Sequence, residues 1–280
     1  MQKSLMAIFA HPDDEQLVAG AFAKYAALGV ETTIVIATRG EEGEIAPGVD
    51  AEHSNLGVVR EQEMRCATAK LGIQHLHFLD FRDSGMAGST ANNDPRSLHR
   101  SDLLKVSEKV VGLIRQYKPQ VIVTFDPTGV YSHPDHLRVH KAALMAFFLA
   151  GDPGAFSDQL QMGLEPWTPL KLYYPVWRRV WVEVFVIFLR LIRQPVPELL
   201  RTLIQNTPPN SAITTQLDVN SYVTVKREAL LCHASQAGPD APIHQVPKAV
   251  WDYVMRTETF VRAYSLVEST KSERDLFIGI

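Results

Sequence analysis

Two short apolar runs, Leu5–Ala10 and Val121–Phe125, each lead into a cluster of imidazole and carboxylate side chains. The first is followed at once by His11-Pro12-Asp13-Asp14-Glu15, the second a few residues later by His133-Pro134-Asp135-His136. Aliphatic runs of this length bounded by polar or turn residues read as buried strands. Open α/β sheets place their chemistry in the crevice at the carboxyl ends of such strands. Together the clusters offer two or three histidines and an aspartate, enough to hold one divalent metal and leave a position open. The pattern reads as a metallohydrolase.

The surrounding sequence alternates in the way a parallel sheet requires. Val30–Ala37 and His75–Leu79 read as further strands; Asp14–Leu28, Asn55–Leu71, Asp102–Tyr117 and His136–Leu149 read as helices, with Gly29 and Gly72 at two of the stops. This predicts an α/β fold, a Rossmann-like, mostly parallel sheet flanked by helices. A strand order 3-2-1-4 would make the first and fourth strands neighbours and set both clusters on one crevice. Past residue 150 the pattern loosens. Gly151–Pro169 reads as a long loop, Lys171–Val176 and Ala212–Val219 as strands, and Tyr222–His233 as a helix. The expected organisation is a catalytic core over residues 1–150, with 151–280 completing the same domain around an insertion at 177–205. That apolar insertion reads first as a packed helix or oligomer contact and second as a lid.

Composition narrows the function classes. Hydrophobic residues are 46% and charged residues 21% of the chain, which favours a sizeable core over disorder. A net charge of −3 with no basic run gives no pull toward nucleic acid. No stretch approaches the roughly 20 apolar residues of a membrane span, and the N-terminus has no secretory pattern. Cys66 and Cys232 are far apart and lack a CxxC spacing, so two reduced thiols in a cytoplasmic protein are expected.

The motif Ala10-His11-Pro12-Asp13-Asp14-Glu15, taken with His133-Pro134-Asp135-His136, resembles the PIG-L/LmbE-like zinc de-N-acetylases. The resemblance extends over most of residues 4–149 through Thr38-Arg39-Gly40-Glu41-Glu42-Gly43-Glu44, Arg60-Glu61-Gln62-Glu63 and Arg82-Asp83-Ser84-Gly85-Met86. The last of these is most like the mycothiol-pathway deacetylases and amidases, from which the chain departs at the apolar Val18. The resemblance implies removal of an acetyl group from an N-acetylglucosamine conjugate. It makes His11, Asp14 and His136 the Zn²⁺ ligands, Asp13 the general base and His133 the group that polarises or protonates the tetrahedral intermediate. Asp135 is expected to orient His133 and raise its pKa. Two histidines and one carboxylate also suit Fe²⁺.

Arg60 and Asp83 have ordinary structural readings, a solvated charge paired with Glu61 or Glu63 and a turn residue. The resemblance makes them contacts to sugar hydroxyls, and Tyr131 an aid to the oxyanion. Glu15 and His233 are expected to support the site structurally. The expected partner is a small N-acetylated sugar conjugate, with a homo-oligomer compatible with the apolar insertion. The competing functions are an amidase that removes a larger acyl group and a catalytically silent sugar-binding relative.

Overall fold

β1 (Ser4–Phe9) is buried along its whole length, as an unbroken apolar strand covered on both faces must be. The structure, a computed structural model, describes residues 2–238, 241, 244 and 246–280. In it β2 (Glu31–Ile36), β3 (His75–Phe78) and β4 (Val121–Thr124) follow β1 through the crossover helices α1 (Ala19–Ala27), α2 (Leu56–Leu71) and α3 (Leu103–Tyr117). Then come α4 (Gly129–Ser132), α5 (Pro134–Leu149), α6 (Ser157–Gln161) and β5 (Lys171–Val176). The chain continues through α7 (Arg179–Leu191), α8 (Glu198–Asn206), β6 (Thr215–Asp218), α9 (Val223–Cys232), α10 (Lys248–Met255) and β7 (Thr257–Ser265).

The sheet order is β3-β2-β1-β4-β5-β7-β6, which contains the expected 3-2-1-4. β1 to β5 run parallel, and β7 lies antiparallel between β5 and β6. β1 is therefore the switch point: its chain leaves toward β2 on one side, and β4 arrives on the other. Ile8 is in register with Thr124, and the Phe9 and Phe125 rings just beyond meet edge-on at 5.0 Å. The two motif-bearing strand ends are thereby neighbours.

Four differences from the sequence reading matter. The helix expected over Asp14–Leu28 is split into a 3-10 turn, Asp14–Leu17, and α1, because the first turn is bent to aim Asp14 into the site. The first amides of α1, Gly20 and Ala21, instead donate to the Glu258 carboxylate at 2.8 Å each. The loop expected at 151–169 contains α6. The C-terminal elements α10 and β7 were not anticipated; β7 carries Glu258, Thr259 and Arg262 among its apolar residues, which weakens its strand pattern.

The last difference is a correction. Cys66 and Cys232 are not free thiols; they form a disulfide with 5.8 Å between their Cα atoms. They lie 166 residues apart in sequence, but α2 packs along α9, a contact no local spacing reveals. The cytoplasmic expectation loses the support it took from free thiols. Among the described residues, no helix is long and apolar enough to cross a membrane. The segment expected as an insertion holds the helical pair α7 and α8.

Candidate metal centre

The loop after β1 turns sharply. Asp13 takes a left-handed backbone conformation with φ of 101°, which costs a non-glycine residue energy and persists only where surroundings enforce it. The turn lets the Asp14 carboxylate fold back onto its own backbone, with Oδ2 accepting from the amides of Ala10 (3.2 Å) and His11 (2.7 Å). On the other lip, Val130 and Ser132 also have positive φ, 63° and 66°. Val130 is β-branched, so this is a true outlier. Gly129 must lack a side chain here, since a Cβ would come within 3.0 Å of His136 Cβ. Pro134 then opens α5, and His133 caps it, its Nδ1 accepting from the Asp135 amide at 3.1 Å.

These turns bring three donor side chains together. His136 Nε2 lies 3.3 Å from His11 Nδ1 and 3.4 Å from Asp14 Oδ1, and His11 Nδ1 lies 3.5 Å from Asp14 Oδ2. A tetrahedral ion with bonds of roughly 2.0–2.1 Å has ligand–ligand edges of about 3.3–3.4 Å. The two edges that meet at His136 Nε2 match those of such a tetrahedron, while the closest approach of His11 is to the other Asp14 oxygen, Oδ2.

The far nitrogen of each ring is also accounted for. His136 donates Nδ1–H to the Gly129 carbonyl (3.1 Å), and its ring stacks on Phe125 at 4.0 Å. His11 presents Nε2 to Asp135 Oδ2 at 3.3 Å. Both arrangements leave a lone pair facing the triangle, which is how metal-binding imidazoles are fixed in tautomer and direction. Asp135 is itself held by the Ser84 amide at 2.9 Å and by the Ser84 hydroxyl.

The electrostatics favour a cation. Burial works to keep His11 neutral, but the carboxylates of Asp83, Asp135 and Asp14 outweigh it and raise its pKa well above the ordinary imidazole value. The field that holds a proton there equally favours a metal ion. Burial also works against ionised Asp14, yet His136 and His11 hold its carboxyl far below the usual range. Burial lowers His136 to about 4 against the pull of Asp14. Burial, with His11 and His136 beside it, lowers His133 to about 3. The expected Asp135–His133 pairing is thus replaced: the Asp135 carboxylate serves His11, and His133 is neutral rather than raised.

Asp13 sits beside the triangle without joining it. Its amide donates to Glu15 Oε2 (3.0 Å), and Glu15 Oε1 in turn pairs with His233 Nε2 (2.7 Å). Desolvation pushes the Asp13 carboxyl up to about 6 against the pull of Arg60.

The proposed sugar contacts lie deeper than expected. Arg60 is 4% exposed and donates to the Pro12 carbonyl (2.5 Å), the Gly40 carbonyl (2.9 Å) and Asp13 Oδ2 (3.1 Å). Its neighbour Glu63 binds Ser235 instead, through the amide and the hydroxyl at 2.6 Å each. Asp83 is 3% exposed; it accepts from the Gly85 amide (2.8 Å) and stands 3.5 Å from His11 Nε2. Tyr131 faces the centre, its hydroxyl 3.5 Å from His136 Nε2. Ser84 was missed, and only its place in the Asp-Ser-Gly turn hinted at it.

A buried two-histidine, one-aspartate triangle with a further carboxylate beside it, at the switch point of a parallel sheet, defines a metallohydrolase centre. Residues 6–147 match the family model described as PIG-L: GlcNAc-PI de-N-acetylase, and the chain belongs to the PIG-L family. It is 35% identical, over 99% of its own length and 89% of the relative's, to 1D-myo-inositol 2-acetamido-2-deoxy-alpha-D-glucopyranoside deacetylase of Streptomyces scabiei. Its structure is similar to that of N,N'-diacetylchitobiose deacetylase from Pyrococcus horikoshii, with a TM-score of 0.62, 19% identity, and coverage of 93% of this chain and 83% of the other. It is equally similar to GalB, the 4-carboxy-2-hydroxymuconate hydratase of Pseudomonas putida, with a TM-score of 0.62, 18% identity, and coverage of 96% and 99%. Likeness at such identities speaks for the fold alone, because one fold hosts different chemistries.

Proposed function

We propose that this protein is a zinc-dependent hydrolase that removes the acetyl group from an N-acetylglucosamine glycoside. The observation that carries the reading is the His11–Asp14–His136 triangle with Asp13 next to it, in a chain whose relatives of 35% identity are named as deacetylases of such a glycoside. The ligand set alone suits Fe²⁺ as well; amide hydrolysis involves no oxygen or redox chemistry, which favours zinc. When bound, the ion polarises the amide carbonyl and lowers the pKa of a coordinated water to roughly 7.

The chain's own groups do the rest. Asp13, with a pKa near 6, is matched to take a proton from the attacking water near neutral pH. Arg60 holds that carboxylate in place. His133 has its Nδ1 lone pair occupied by the Asp135 amide, so it carries its proton on Nε2 and donates to the developing oxyanion. The Tyr131 hydroxyl is placed to add a second donor. As the carbon–nitrogen bond breaks, the proton taken by Asp13 passes to the leaving amine, giving acetate and a free glucosamine amine. Buried Arg60 and Asp83 act in this scheme on Asp13 and His11 rather than on the sugar.

The test is acetate release from a panel of N-acetylglucosaminides, including the inositol glycoside named for the relatives, with metal content measured on the same sample. Acetate and free amine in equal amounts, from protein with about one zinc per chain, is the expected result. Zinc-loaded protein that releases acetate from none of them overturns the reading.

A further inference from the structure

Asp13 is held at both ends. Arg60 bonds its carboxylate at 3.1 Å, and a separate chain of contacts reaches its backbone. The Asp13 amide donates to Glu15 Oε2 at 3.0 Å, and His233 Nε2 donates to Glu15 Oε1 at 2.7 Å. Glu15 and His233 are both 0% exposed. The contact at the amide matters because Asp13 has φ of 101°, a conformation that a non-glycine residue keeps only where its surroundings enforce it. Relaxation of that angle would rotate the Asp13 side chain away from its place beside the metal ligands.

His233 gives Glu15 a reference fixed to the rest of the fold. Gln16 Nε2 also donates to Glu15 Oε1, at 2.7 Å, but Gln16 is the next residue in the same turn and moves with it. His233 follows α9, and the chain is fastened to α2 on either side of it. Cys232 is disulfide-bonded to Cys66, and Ser235 is bound by Glu63 through its amide and its hydroxyl at 2.6 Å each. Cys66 and Glu63 both belong to α2, the helix that carries Arg60. Among the described residues, Glu15 is the one hydrogen-bond partner of the His233 ring, whose Nδ1 has none. A wholly buried carboxylate depends on such a partner, and one that loses it reorients or takes up a proton.

We propose that His233 is a positioning residue for deacetylation: by fixing Glu15 it holds the Asp13 backbone in its left-handed turn and so sets where the Asp13 carboxylate stands. α2 then governs the base through two handles, Arg60 on the carboxylate and His233–Glu15 on the amide. This rests on the deacetylase reading, with Asp13 as its base, and adds a residue that touches neither metal nor substrate.

The test uses the zinc-loaded full chain with methyl N-acetylglucosaminide. His233→Leu is expected to lower kcat by about 10- to 100-fold, the scale of a catalytic group misplaced by about 1 Å, with KM and zinc content unchanged. His233→Gln, whose amide can still donate to Glu15, should recover most of that loss. In an Asp13→Asn background His233→Leu should cost less than about twofold more, because its effect passes through Asp13. Equal losses in the two backgrounds overturn the inference and leave deacetylation standing, as does a loss carried by KM or by zinc content, or a glutamine variant as slow as the leucine one. Should the leucine variant fail to fold, His233→Asn, too short to reach Glu15, takes its place. Hydrogen exchange at the Asp13 amide reads the same contact without substrate. It should quicken by about tenfold in His233→Leu, while the His11 amide, held by Asp14, stays as it was. Unchanged exchange at Asp13 overturns the inference. If the wild type releases acetate from no glycoside, the deacetylase reading fails, and the exchange measurement still decides whether His233 holds the Asp13 turn.

Discussion

The Arg60 guanidinium stands 3.1 Å from the Asp13 carboxylate and also bonds the backbone carbonyls of Pro12, after β1, and Gly40, after β2. In the proposed scheme Arg60 positions the base. Arg60→Met is expected to lower kcat by about 10- to 100-fold, the equivalent of a lost charge-assisted hydrogen bond of about 1.5–3 kcal/mol, with metal content and KM nearly unchanged. Steady-state kinetics beside elemental analysis checks this. A raised KM at constant kcat would return Arg60 to the role of a sugar contact.

The adjacent carboxylates should fail in different ways. Asp14→Asn is expected to lose the metal, because a neutral amide oxygen replaces an anionic donor in the triangle. Asp13→Asn should retain it while turnover falls by about 10²–10⁴, the usual loss on removing a general base. Near-normal turnover in metal-loaded Asp13→Asn would exclude Asp13 from that role.

Asp135 gives a graded version of the same experiment. It holds the far nitrogen of His11 and not the metal position, so Asp135→Asn should weaken metal affinity by about 10- to 100-fold without abolishing it. Competition with a chelator of known affinity measures the change. Unaltered affinity would leave the Asp135–His11 contact without a function in metal binding.

Away from the centre, Glu273 joins the C-terminal segment to the sheet through Lys171 (2.7 Å), Tyr173 (2.6 Å) and Thr215 (2.9 Å). Burial works to raise its carboxyl, but these hydrogen bonds prevail and hold it below the usual glutamate range. A carboxyl depressed in the folded state adds stability above its unfolded pKa of about 4.3, and the contribution fades as pH falls through the folded value. Glu273→Gln should cost about 3–5 kcal/mol at pH 7, since it leaves Lys171 buried without its counter-charge. The gap in Tm from wild type should shrink below about pH 4. A gap that widened in acid would contradict the pairing.

The disulfide should matter to stability. Cys66→Ser is expected to cost about 2–5 kcal/mol, because the bond closes a long loop in the unfolded chain. Thermal melts with and without a dithiol reductant check it, and superimposable melts would show that the pairing adds nothing.

Much of the centre was legible because its donors are close in sequence to strands whose apolar runs announce them. His11 and Asp14 share one turn, and His136 lies in the first turn of α5, which follows β4 after the short α4. The parallel sheet followed from the alternation of elements; its order did not, and 3-2-1-4 was the arrangement that would set both clusters on one crevice. What sequence did not disclose depends on partners at a distance. Asp135 looked bound for His133 two residues away, but the fold turns its carboxylate to His11. Arg60 read either as a helix-surface charge or, by resemblance, as a sugar contact, and the fold brings it against Pro12, Gly40 and Asp13 instead. Glu258 is an unremarkable acid in a polar strand, and only packing places it over the first amides of α1. Likewise Cys66 and Cys232 acquire a relation only when α2 lies along α9.

The metal triangle draws its donors from two lips that meet only when β1 and β4 pair. No short stretch of the unfolded chain can assemble it, so an ion that binds there binds the folded state almost exclusively. Its binding free energy then adds to folding stability by mass action, about 2.7 kcal/mol at a free concentration one hundred times Kd. With a metal held there, its supply would be a thermodynamic control on how much of this chain is folded, and apparent melting temperatures would acquire meaning only at a stated free-metal concentration.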